Sequence, residues 1–134
     1  MDGVIADFEF LKPLDFQNKR PIQTNIKTLE SISRLKDIKV YILLICKKDE
    51  QINDKNIWLD KYDPFFQKEN RIIISKESRQ NKSSKELKER ALKKQIKALK
   101  RAKVVLIDDD NAILKHLAKN VKNIILFQDS SLID

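Results

Sequence analysis

The sequence predicts an α/β domain with a three-layer, Rossmann-like architecture: an open parallel sheet with helices on both faces. Three observations carry that expectation. Short apolar, β-branched runs alternate with amphipathic helical patterns along most of the chain. The runs lack clean polar alternation, as strands buried on both faces do. A chain of 134 residues with 41% apolar content is also long enough for one domain, 1–134, with a proper core. No internal repeat, low-complexity tract or second domain is visible.

The elements follow in order. Residues Glu9–Gln23, with Pro13 and Pro21, read as an irregular connection. Asn25–Lys36 places Ile26, Leu29, Ile32 and Leu35 near one helical face, with Thr24 or Asn25 as cap. Lys39–Ile45 reads as a strand, and Asp54–Tyr62 as a helix that stops before Pro64. Arg71–Ser75 is the next strand. Ser83 with Glu86 three residues on forms a capping-box signature, opening a helix from Ser84 to about Arg101. Lys103–Asp108, the helix Asn111–Asn120 and the strand Asn123–Phe127 complete the pattern.

Composition excludes several classes. The apolar runs are too short to span a bilayer, no basic-then-apolar leader opens the chain, and no membrane partner is expected. The lone Cys46 cannot form an internal disulfide, which fits a cytoplasmic protein, and it excludes a cysteine-based zinc cluster. The lone His116 argues against histidine-rich metal sites and Ser-His or Cys-His catalysis. Carboxylates and lysines remain for chemistry.

The net charge of +8 is localised. From Lys82 to Lys103 ten basic residues face only Glu86 and Glu89, while the rest of the chain balances at eighteen charges of each sign. On this helix Leu87, Ala91, Leu92, Ile96 and Leu99 form the packing stripe, and Lys88, Lys94 and Arg101 are assigned to the wet side. A solvated face in a lysine-rich protein is one reading; a surface for nucleic acid or another polyanion is the other.

Two acidic clusters stand out. Asp2 precedes Gly3, the only glycine, which marks a backbone position where a side chain does not fit. Asp108-Asp109-Asp110 follows the apolar Val104–Ile107, and ligands of open α/β sheets bind beyond the carboxyl ends of strands. Adjacent carboxylates repel unless a cation or proton intervenes, and hard oxygen donors there suit Mg²⁺. A competing reading makes Asp110 the N-cap of the following helix.

These residues carry a resemblance. Met1–Phe10 resembles the first motif of the haloacid dehalogenase-like phosphatases, D-x-D-G-V-x-x-D, in the form used by the 5′(3′)-deoxyribonucleotidase-like branch. Val104–Asp109 resembles the fourth motif, an apolar strand ending in Asp-Asp, and Lys82 in Asn81-Lys82-Ser83 resembles the third-motif lysine. The resemblance implies a Mg²⁺-dependent phosphomonoester hydrolase acting on a phosphorylated small molecule, with a nucleotide foremost. It gives Asp2 the role of general acid and base and, through its carbonyl, of metal ligand. Asp108 and Asp109 become the other metal ligands, Lys82 neutralises the phosphoryl group, and Gly3 and the second-motif position line the substrate.

Departures from the family pattern imply either an N-terminally shortened version of an enzyme or a degenerate member with little or no turnover. The nucleophilic aspartate would fall one position before Met1, and the central first strand that carries it is missing or displaced. Leu44 occupies the second-motif position of Ser or Thr and has no hydroxyl to offer phosphate. Only 32 positions separate Phe8 from Val40, too few for the family's cap domain, so the site is capless and open. The alternative is a non-catalytic binding protein that uses the basic helix 84–101. In either case the strands flanking the vacancy must close on each other, be filled by Val4–Phe8, or be covered by a second chain in a homo-oligomer.

Overall fold

The computed structural model describes residues 1–7 and 14–129. Two compact units emerge, 1–81 and 82–134. The first-motif positions Phe8 to Phe10 and the start of the expected connection lie outside the described residues.

In the first unit the chain runs through a 3-10 turn at Phe16–Asn18, helix α1 (Gln23–Ser33), strand β1 (Ile42–Cys46), helix α2 (Glu50–Tyr62) and strand β2 (Arg71–Ser75). β1 and β2 pair in parallel, with Ile42 opposite Arg71 and Cys46 opposite Ser75. β1 alternates between buried and half-buried positions. Its inward Ile42 and Leu44 join Ile5, Ile26, Trp58, Leu59 and Phe66 in the core. The start of α1 departs from expectation. Its N-cap position is Ile22, which offers no capping side chain, and the Asn25 amide instead donates to the Val4 carbonyl at 2.6 Å. α2 begins at Glu50, a full turn before the expected Asp54.

The second unit holds helix α3 (Ser84–Leu99), strand β3 (Val104–Asp108), helix α4 (Asn111–Asn120) and strand β4 (Ile124–Gln128). β3 and β4 are again parallel, Val104 opposite Ile124 and Asp108 opposite Gln128. The capping box forms as its spacing predicts: the Glu86 amide donates to Ser83 Oγ and the Ser83 amide to Glu86 Oε2. Asp110 caps α4 by accepting from the Ala112 and Ile113 amides. α4 packs on both strands and α3 packs on α4. Leu87, Leu92, Ile113, Leu114, Leu117 and Val121 are buried in this unit.

The fold is therefore mixed α/β with parallel strand pairing, and two expectations are corrected. The four strands form two separate two-stranded sheets rather than one. At the start of the chain the Asp7 amide donates to the Arg20 carbonyl and the Ile22 amide to the Ile5 carbonyl, which ties residues 5–7 to the start of α1. The second correction concerns burial on both faces. β3 and β4 alternate instead, and Val105, Ile107, Ile125 and Phe127 are 43–56% exposed. Side chains alternate with a period of two, so helices on one face leave these four outward.

No helix among the described residues is long and apolar enough to cross a membrane.

Candidate functional site

Gly3 sits at φ 76°, the left-handed region where a β-carbon is costly. There it closes a tight turn in which the Met1 carbonyl accepts from the Val4, Ile5 and Ala6 amides. This turn presents Asp2. One carboxylate oxygen of Asp2, Oδ2, accepts from Lys19 Nζ at 2.8 Å; the other, Oδ1, is buried and has no hydrogen-bond partner among the described residues. The Lys19 side chain is fully buried. Its backbone carbonyl accepts from the indole of Trp58 at 2.8 Å, and its ammonium lies 5.3 Å from the Phe16 ring centroid. Asp2 is thus half of a structural ion pair rooted in the core of the first unit.

In the second unit, Asp108 ends β3 and is 5% exposed. Its Oδ2 accepts from Lys88 Nζ, and its Oδ1 accepts from the Asp110 amide at 3.0 Å. Burial opposes ionisation of Asp108. The Lys88 charge, its hydrogen bond and the Asp110 amide outweigh that cost and hold the carboxyl below the ordinary aspartate range. For Asp109, burial and then repulsion from Asp108 push the pKa up. Neighbouring carboxyls with pKa values driven apart are an arrangement that acid–base chemistry can use, and one that a structural ion pair also produces.

Lys88, assigned to the wet side from sequence, is the corrected residue. Its side chain is only 14% exposed. The signal was available, because Lys88 lies four residues before Leu92 and so shares its helical face. Lys82, the expected phosphate-binding lysine, is half-buried just before α3 and makes no ion pair among the described residues. Leu44 is 3% exposed in the core of β1, where its side chain packs rather than meets a ligand. Asp2 belongs to the first unit and Lys82, Asp108 and Asp109 to the second. Cys46 is buried, and burial pushes its thiol pKa up, the opposite of a reactive thiolate.

The donor chemistry of Asp108 and Asp109 suits Mg²⁺, which one or two carboxylates hold together with waters and a substrate phosphate. Each oxygen of Asp108 already accepts a hydrogen bond, so an arriving cation must share this carboxylate with the Lys88 ammonium. Among the described residues, no three His, Cys, Asp or Glu side chains form a group that could hold a metal ion.

Two clefts lie away from these carboxylates. One, of about 400 Å³ in the first unit, runs along α2 and β2. There Arg71 donates to the Phe66 carbonyl and Asn56 Oδ1 and pairs with Asp60, a fully engaged structural cation. The other, of about 410 Å³ in the second unit, lies between α3 and the turn after α4. No family model, curated protein or solved structure matches the chain.

Proposed function

We propose that the chain is a haloacid dehalogenase-like domain that binds a phosphomonoester, with a nucleotide as the first candidate, and turns it over slowly or not at all. The observation that carries this reading is the Asp108–Asp109 pair at the carboxyl end of a parallel strand, with the two carboxyls driven in opposite directions. The sequence resemblance of Met1–Phe10 and Val104–Asp109 supplies the family. Gly3 in the left-handed region supports the first motif, since that turn needs a glycine.

Bound Mg²⁺ would neutralise the phosphate and orient it. The chain's own residues do the rest: Lys88 keeps Asp108 ionised, Asp109 holds a proton to higher pH, and Lys82 is available to face an incoming anion. Low turnover follows from two features. Leu44 offers no hydroxyl where the family has one, and Lys88 competes with any cation for Asp108.

Calorimetry with Mg²⁺ and a deoxynucleoside monophosphate tests this. Weak, saturable nucleotide binding that requires Mg²⁺ and disappears in Asp108→Asn is the expected result, with phosphate release close to background. Nucleotide binding that survives Asp108→Asn, or no binding at any Mg²⁺ concentration, would reject the assignment.

A further inference from the structure

The cleft of the second unit is lined by Lys93, Ile96 and Lys97 from α3 and by Val121 and Lys122 from the turn after α4. Residues some 25 positions apart in sequence thus bring three ammonium groups to one depression, and no acidic residue lines it. Glu89 takes up one of these cations: its Oε1 accepts from Lys93 Nζ at 2.7 Å and its Oε2 lies 2.9 Å from His116 Nε2, so the positive charge left to the cleft is that of Lys97 and Lys122. Lys97 and Lys122 are exposed and make no ion pair among the described residues.

One feature opposes anion binding. The cleft adjoins the carboxyl-terminal end of α4, whose macrodipole places about half a negative charge there. Lys119 in the last turn of α4 and Lys122 just beyond it together outweigh half a charge.

We propose that this cleft is a binding site for the phosphodiester backbone of nucleic acid. It shares no residue with the Asp108–Asp109 pair and goes beyond the phosphomonoester reading. Lys93 and Lys97 follow one another at successive turns of α3, about 6 Å apart along its axis, and Lys100 comes next in sequence at the helix's C-cap. Lys122 faces that row from the opposite wall. A single phosphate engages one or two of these cations, whereas a phosphodiester chain engages the row. The floor is aliphatic, Ile96 and Val121, and no aromatic ring lines the cleft. Bases therefore find no stacking platform, and recognition is of charge rather than sequence.

The test is fluorescence anisotropy with a labelled single-stranded 20-mer over a salt series, comparing Lys97→Gln/Lys122→Gln with Lys94→Gln/Lys115→Gln. Both pairs remove two charges from exposed positions of the same unit, but only the first removes them from the cleft. Each lost phosphate contact lowers the log–log salt slope by about 0.7, so the cleft pair should flatten it by about 1.4 and weaken binding about 25-fold at 0.1 M salt. The control pair should change affinity less than threefold, and shuffled sequences should bind alike. Equal losses in the two pairs, no binding by the parent, or equal or tighter binding of an acidic polypeptide of the same length would overturn the proposal.

Discussion

Asp63 is wholly buried at the end of α2, and neither of its carboxylate oxygens has a hydrogen-bond partner among the described residues. Burial and then repulsion from Glu30 on α1 raise its pKa to about 6, against an opposing pull from Arg71 on β2. A carboxyl held more tightly protonated in the folded state stabilises the fold below its unfolded pKa of 3.8. That stabilisation fades as pH rises through about 6. Asp63→Asn removes the titration, so the variant should gain about 2 kcal/mol relative to the parent between pH 4.5 and 7.5. Urea unfolding followed by the fluorescence of Trp58, buried in the same unit, reads this directly. A pH-independent difference between the two proteins would show that Asp63 ionises normally. The contrast with Asp2 is instructive. Asp2 keeps one oxygen on a buried lysine, whereas neither oxygen of Asp63 has a hydrogen-bond partner among the described residues and Arg71 only partly offsets its burial.

Among the elements, α3 depends most on local chemistry. It carries a dense row of like charges, which repel along the helix at i,i+4 spacing. The reciprocal Ser83–Glu86 cap offsets part of that cost by satisfying amides that the first turn leaves open. Ser83→Ala should destabilise the second unit by about 1 kcal/mol, and Ser83→Thr should largely restore it. Hydrogen exchange at the amides of the first turn of α3 is the measurement, and unchanged protection in the alanine variant would remove the cap from the account. Features of this kind were legible in the sequence because they are local. The capping box, the α4 bounds with Asp110 as cap, the β2 bounds and the special backbone at Gly3 all follow from a few adjacent residues. What could not be read is non-local. Lys19 lies in a stretch read as irregular, and nothing near it announces that its ammonium is buried against Asp2, seventeen residues earlier. At the candidate site, Asp108 and Asp109 were legible as a strand-end pair. Their lysine was not, because Lys88 reaches Asp108 across twenty residues, and only its shared face with Leu92 hinted at burial. Pairing of strands in parallel was expected, but their division into two sheets depends on edges that periodicity does not describe.

At the scale of the whole molecule, charge and apolar exposure pull association in opposite directions. The second unit carries thirteen basic and seven acidic side chains, so most of the net charge of +8 resides there. The same unit exposes Val105 beside Ile125 and Ile107 beside Phe127 on one sheet face. A contiguous apolar face of this kind favours contact with another apolar surface, including that of a second copy. Repulsion between like-charged molecules resists that contact at low salt, because its range is set by the Debye length, about 30 Å at 0.01 M. Near 0.5 M salt the repulsion is screened, while burial of apolar surface does not depend on it. Self-association should therefore rise with salt, whereas nucleic-acid binding at the lysine cleft should fall. Light scattering at fixed protein concentration, in 0.02 M and 0.5 M sodium chloride, should show the mean mass increase in the parent. In Ile107→Lys/Phe127→Lys it should stay monomeric at both, since two lysines on the face add repulsion and remove apolar area together. The same substitutions lie outside the cleft and should leave the oligonucleotide salt slope in place. If the double variant associates as strongly as the parent, the contact is made elsewhere on the molecule and this face is only a solvated edge of the fold.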